Sequence, residues 1–149
     1  MKKAGCLFFA ALLMLLALCG CYIPEHAKPS SGKLGAEMML RLGEAATISS
    51  EGLSIRFMGI DQDSRCPLGV ECIWAGEVTA VVTLIKSRGN ALEVNLTKGA
   101  VETGREKAKF EGYSIKLIDV MPYPSAKNPG SLEEERIFSV VSKLKQQDL

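Results

Sequence analysis

Val-Thr-Ala-Val-Val-Thr-Leu-Ile, residues 78–85, is the stretch that decides the fold class. It is apolar on both faces and rich in β-branched residues, which is typical of a strand inside a sheet. A polar turn, Ser-Arg-Gly-Asn, follows it, and apolar and polar residues then alternate over residues 91–97. The pattern predicts a β-hairpin made of residues 77–86 and 91–97.

Alternation with a period of two residues recurs in four further segments, which indicates more strands with one wet face. These segments are residues 38–42, 53–58, 113–117 and 136–144. Turn residues separate them, and no long amphipathic helix is visible. The sequence therefore predicts an all-β domain, an antiparallel β-sandwich (immunoglobulin-like) of six or seven short strands. A small five-stranded β-barrel is the alternative.

The N-terminus has the pattern of a bacterial export signal. Two lysines precede 15 uncharged residues, 4–18, which are too few for a membrane span and typical of a secretory signal. The next residues, Leu-Cys-Gly-Cys, resemble the lipobox of bacterial lipoproteins, which implies a signal peptide at 1–20 and a lipid on Cys21. An uncleaved anchor and a plain secretory signal remain as alternatives.

Residues 21–36 are rich in proline, serine and glycine and have no sustained apolar period, which predicts a flexible tether before a single domain at 37–149. The predicted location is the cell envelope, with the protein attached to a membrane through the lipid on Cys21 and facing the periplasm or the outside. Tyr22 follows the cysteine in place of aspartate. This favours the outer membrane if the organism has two membranes.

Two cysteines, Cys66 and Cys72, lie in the predicted domain. Outside the cytoplasm an isolated pair favours a disulfide, and the proline and glycine between the two permit the tight turn that it needs. Redox chemistry favours a Cys-x-x-Cys spacing, which is absent here. A structural disulfide is the prediction, with redox chemistry and metal binding as alternatives.

The segment around this pair, residues 61–77, has two interpretations. As a structural loop, Arg65 pairs with an acid or a carbonyl group, and Trp74, the only tryptophan, packs on the disulfide or covers one end of the sandwich. As a binding loop, Arg65 and Trp74 are displayed for a partner, together with Tyr123 from a second proline-rich loop. The two interpretations are compatible.

The same segment has four acids, which are the weak candidates for a calcium site: Asp61, Asp63, Glu71 and Glu77. Carboxylate oxygens are the ligands that calcium prefers, and the spacing begins like an EF-hand loop. The pattern then departs at Arg65, where a ligand oxygen is needed, and at Pro67. We therefore expect no metal site.

Asp-Ser-Arg-Cys-Pro at 63–67 and Val-Glu-Cys-Ile-Trp-Ala-Gly at 70–76 resemble a family of small bacterial secreted and lipid-anchored β domains. Leu-Gly-Glu at 42–44 and Pro-Tyr-Pro at 122–124 fit the same pattern, so that the resemblance covers about residues 40–145. The family is of uncharacterised function. The resemblance implies a β fold and an envelope location, and it implies no activity.

Composition excludes several classes of function. A net charge of +1 argues against nucleic-acid binding through a basic face. The only histidine, His26, lies in the predicted tether, and no phosphate-binding loop is present. We therefore expect a noncatalytic binding module without a cofactor, whose partner is another envelope protein or a cell-wall component. A metal-ion or small-ligand binding protein is the alternative, and a hydrolase is less favoured.

Overall fold

The structure, a computed structural model, describes residues 29–87, 89–126 and 135–144. This part of the chain is all-β, with two sheets and a single short 3-10 helix, Ser49–Glu51. The predicted β-sandwich is confirmed, and the barrel alternative is wrong because the two sheets do not close on each other. The predicted signal peptide and the predicted lipidation site, Cys21, lie outside the described residues. No helix in the described ranges is long and apolar enough to cross a membrane.

Nine strands make up the described part. They are β1 (Ser30–Ser31), β2 (Glu37–Arg41), β3 (Ala45–Ile48), β4 (Leu53–Asp63), β5 (Glu77–Lys86), β6 (Ala91–Gly99), β7 (Lys107–Phe110), β8 (Tyr113–Met121) and β9 (Arg136–Lys143). The first sheet has the order β1-β3-β4-β5-β6, and the second has the order β2-β9-β8-β7. The predicted hairpin is β5–β6, in which Val82 pairs with Val94 and Leu84 with Leu92.

Three strands were missed by sequence reasoning, and all three are short. β3 and β7 have four residues each, and β1 has two, which is too few for an alternating pattern to stand out. β1 lies inside the segment expected to be a tether, where Ser30 and Ser31 pair in parallel with β3. Gly32 follows, and a Cβ there would lie 2.3 Å from the sulfur of Met38. The folded domain therefore begins before residue 37.

The core fills the space between the two sheets. Alternate residues of the long strands point inward, as the strand period requires. The largest fully buried apolar side chains are Leu40, Ile48, Leu53, Ile55, Phe57, Val78, Leu84, Leu96, Ile115, Leu117 and Ile137. In β9 it is Ile137 and Val141 that enter the core, while Phe138 and Val140 are half-buried on the outer face.

The sandwich has two unlike ends. At one end, named here the stapled end, lie the loop that connects β4 to β5, residues 64–76, the loop that connects β6 to β7, residues 100–106, and the segment after β8, residues 122–126. At the other, named the turn end, lie the described residues of three short connections, 49–52, 87 with 89–90, and 111–112. The predicted functional residues that fall within the described ranges lie at the stapled end, because β4 and β8 both finish there and β5 begins there.

Candidate functional site

The stapled loop, residues 64–76, continues the β4–β5 ladder beyond the strands. The amide of Ser64 donates to the carbonyl of Glu77 at 2.8 Å, and the amide of Cys66 donates to the carbonyl of Ala75 at 3.0 Å. Gly76 makes this close approach possible: its φ is +71°, and a Cβ there would lie 1.9 Å from the Ser64 carbonyl oxygen. Only glycine fits that position without a backbone shift.

The disulfide between Cys66 and Cys72 closes the tip of the loop, with 5.9 Å between the two Cα atoms. The predicted pairing is therefore confirmed. A bridge over so few residues removes loop freedom mainly from the unfolded chain. The native loop is held covalently at its tip and by the ladder at its base.

Arg65 fixes the loop to the second sheet from inside. It is 7% exposed, and its guanidinium binds both carboxylate oxygens of Asp63, with Nε donating at 2.9 Å and Nη2 at 2.6 Å. Nη1 donates to the carbonyl of Val120 at 2.5 Å, and Nη2 donates to that of Pro122 at 3.0 Å. A planar guanidinium supplies this fork of donors, which a lysine cannot.

Tyr123 covers the outer side of this cation. The centre of its ring lies 4.4 Å from the Arg65 guanidinium carbon, within the range of a cation–π contact. One residue further on, the carbonyl of Pro124 accepts a 2.8 Å hydrogen bond from the amide of Leu68. The stapled loop and the segment 122–125 are thus one rigid unit.

Four large apolar side chains on this rigid loop remain exposed to solvent. Ile73 is fully exposed, Trp74 is 74% exposed, Leu68 is 59% exposed and Val70 is 47% exposed. None of the hydrogen bonds that hold the loop depends on these side chains. The backbone hydrogen bonds, the disulfide and Arg65 therefore fix the shape of the loop. The exposed apolar side chains are not needed to maintain that shape.

A cleft of about 210 Å³ lies behind Tyr123 and includes Asp63, Arg65 and Glu135. Burial raises the pKa of Glu135, and the nearby negative charge of Asp63 raises it further, although Arg65 and a backbone bond oppose this. Sites for drug-sized ligands usually enclose about 300 Å³ or more. The cleft is small for a ligand of that size.

The four acids proposed as weak calcium ligands do not form a site. Asp63 is held by Arg65, and Glu77 pairs with Arg105, whose guanidinium donates to its carboxylate at 3.1 and 2.5 Å. Asp61 and Glu71 are exposed. Within the described ranges no group of three or more His, Cys, Asp or Glu residues is placed to hold a metal ion.

The predicted binding residues divide into two roles. For Arg65, the expected pairing with an acid or a carbonyl group is confirmed by Asp63 and Val120, and the alternative of display for a partner is wrong because the side chain is buried. Tyr123 is partly exposed and stacks on Arg65. Trp74 is displayed, so the expectation that it packs on the disulfide or covers the sandwich end is wrong. Sequence reasoning missed Leu68 and Ile73, although apolar residues in a proline- and glycine-containing loop were a visible signal.

The turn end has a polar cluster in place of an apolar one. The buried Tyr113 donates its hydroxyl to Glu51 at 2.6 Å, and the ammonium of Lys86 lies 3.0 Å from the same hydroxyl. Lys143 pairs with Glu51 at 3.1 Å. The hydrogen bond from Tyr113 is the main cause that lowers the pKa of Glu51, and Lys143 adds to it.

Comparison with known proteins gives no relative on which to base a function. No protein-family model matches the chain, and neither a curated protein nor a solved structure does. The resemblance of residues 63–76 to small lipid-anchored β domains stays a prediction. The stapled loop of this all-β protein is therefore the feature from which a function is proposed.

Proposed function

We propose that this protein is a lipid-anchored, noncatalytic binding module of the cell envelope, and that the stapled loop is its contact surface. The observation that carries the proposal is the display of Leu68, Val70, Ile73 and Trp74 on a loop whose shape does not depend on them. Grouped, exposed apolar side chains mark interaction surfaces. A tryptophan on such a surface is a frequent anchor of binding energy.

Rigidity adds to this argument. Ordering a flexible loop during binding costs free energy, and a loop that is ordered beforehand avoids that cost. Here the disulfide, the ladder to Glu77 and the Arg65 fork all act before any partner arrives. The exposed apolar side chains are therefore presented from a backbone that is already fixed.

The other functions have less support. The acids near the loop are engaged by arginines, with Asp63 on Arg65 and Glu77 on Arg105, which leaves neither free as a catalytic carboxylate or a metal ligand. The cleft behind Tyr123, of about 210 Å³, is small for a drug-sized ligand. These observations support a module that binds without chemistry.

The test is photocrosslinking in intact cells. A photoreactive amino acid is placed at Ile73 on the loop, and in a matched control at Leu92, an apolar residue near the turn end that is 38% exposed. We expect crosslinked products from position 73, to a protein or to a lipid, that are lost in the Trp74→Ala background and absent from position 92. Equal crosslinking at the two positions, or none at position 73, would overturn the proposal.

A further inference from the structure

We infer that the surface which the stapled loop contacts is the lipid bilayer, with Ile73 and Trp74 seated in its interfacial region. This inference rests on the proposed function, since it names the partner of the same loop. Three independent features lead to it: the chemistry of the loop tip, the direction in which the chain enters the sheet, and the contrast between the two ends.

The loop tip has the composition of an interfacial segment. Residues 66–76 include one ionisable charge, Glu71, and four exposed large apolar residues. Tryptophan and other amphipathic aromatic side chains concentrate at the membrane–water interface, where an apolar ring and a polar N–H are both satisfied. Trp74 and the fully exposed Ile73 are neighbours, so one insertion removes both side chains from water.

The chain enters the first sheet from the side of the stapled end. Through β3, Ser30 lies level with Ile55 of β4, and Ser31 lies level with Ser54. Since β4 runs from the turn end to the stapled end, β1 runs in the opposite direction, away from the stapled end. Pro29, the first described residue, therefore lies on the stapled side of β1, and the predicted anchor is joined to the domain through this residue.

The turn end is unsuited to a membrane. The described residues of its connections, 49–52, 87, 89–90 and 111–112, are only serine, glycine, glutamate and asparagine. Lys86 and Lys143 gather around Glu51 at the same end. An orientation with the stapled end on the bilayer leaves this polar end in water.

The physical role of such a contact is orientation. A lipidated cysteine with more than one acyl chain holds a protein on a membrane without help, but a flexible connection leaves the domain free to tumble. A second contact through the loop fixes which face of the sandwich points outward. Burying one large apolar side chain changes a partition constant by about tenfold or more, so two such residues are enough to bias the orientation.

Trp74 itself is the reporter for the test, because the chain has one tryptophan. The full chain is expressed with its own signal, extracted in detergent, checked by mass spectrometry for lipid on Cys21, and reconstituted into phosphatidylcholine vesicles. We expect Trp74 emission at shorter wavelengths than in the detergent-free water-soluble form of residues 29–149. We also expect loss of most of that emission when the phosphatidylcholine is brominated near the glycerol end of its acyl chains.

The matched control moves the tryptophan to the other end. In a Trp74→Phe, Leu92→Trp variant we expect water-like emission and no quenching by the brominated lipid, because Leu92 lies near the turn end. Unquenched Trp74, or equal quenching of both positions, would overturn the inference. If Trp74 is unquenched while position 73 still crosslinks to a protein in cells, the result supports the binding module and contradicts the inference that the loop contacts the bilayer.

Discussion

Each end of the sandwich has a cation–π contact, but the buried partner differs between the two ends. At the stapled end the Arg65 guanidinium lies 4.4 Å from the ring centre of Tyr123, and at the turn end the Lys86 ammonium lies 4.2 Å from that of Tyr113. At the stapled end the cation is buried and apolar residues such as Trp74 are exposed; at the turn end the aromatic ring is buried. The stapled end therefore leaves apolar side chains exposed to solvent, whereas the turn end buries its aromatic ring.

Removal of the buried cation should have the largest effect. Arg65→Met leaves Asp63 without its partner and leaves the carbonyls of Val120 and Pro122 without their donors. Breaking such a pair from one side is expected to lower the free energy of unfolding by about 3 kcal/mol. Urea denaturation followed by circular dichroism measures this change.

A matched exposed pair provides the control for that experiment. Arg105→Met breaks the contact with Glu77, in which both side chains are largely open to solvent. Exposed pairs contribute little, so the melting temperature should stay within about 2 °C of the wild type. If Arg65→Met and Arg105→Met lower the stability of the protein equally, the burial of Arg65 does not make its contacts more stabilising than those of an exposed pair.

Loss of the disulfide should come next in size. Cys66→Ser with Cys72→Ser frees the tip of the loop, and the loop-entropy estimate for so short a ring is about 2 kcal/mol. Calorimetry should therefore show a drop in melting temperature of about 10 °C. An unchanged melting temperature would show that the ladder and Arg65 hold the loop without the bridge.

The turn end predicts a smaller and pH-dependent effect. Tyr113→Phe removes the hydrogen bond that contributes most to lowering the pKa of Glu51, and should lower the melting temperature at pH 7 by about 5 °C. A lowered carboxyl pKa stabilises the fold above the ordinary value of 4.5, and this stabilisation is lost as the pH falls through the folded-state value. The difference between the two proteins should therefore narrow below pH 4.5.

Thermal scans of both proteins from pH 3 to pH 8 test this behaviour. A pH-independent difference would assign the effect to packing of the ring at Tyr113, with no contribution from the ionisation of Glu51. Glu51→Gln is the companion variant, since it removes the titrating group while it keeps an acceptor for the hydroxyl. In that background the narrowing at low pH should disappear.

Truncation of the displayed tryptophan should have the smallest effect on stability. Trp74→Ala removes a side chain that is mostly in water, so the free energy of unfolding should change by less than about 0.5 kcal/mol. Loss of loop contacts in cells, with stability intact, would separate display from folding. A large drop in stability would instead make Trp74 part of the fold and would weaken the proposed function.

Local pattern was enough to predict much of the fold. The β5–β6 hairpin follows from an apolar run, a polar turn and an alternating run that are adjacent in sequence. β1 and β3 were missed because their pairing, at Ser30 with Ala46, joins residues 16 apart in segments too short to show a period. Strands of this kind are decided by the partner that they find and not by their own sequence.

At the candidate site, too, local features could be predicted from the sequence, and contacts between distant segments could not. The disulfide followed from two cysteines in an export context, and the stiff loop followed from the proline and glycine between them. The partners of Arg65 did not follow, since the carbonyls of Val120 and Pro122 lie 55 and 57 residues further along the chain. Any of several nearby acids and carbonyls was an equal candidate in the sequence.

By itself, the sequence determined the class of fold, the hairpin at its centre and the disulfide, because strand period, turn chemistry and cysteine spacing are local properties. The tertiary structure decided that Arg65 is buried and Trp74 displayed, since that depends on what the second sheet places against the loop. It also decided that β1 runs away from the stapled end, because its parallel pairing with β3 is a contact between distant segments. The exposure of these two side chains and the direction of β1 depend on how the strands and sheets pack together, which no local pattern in the sequence specifies.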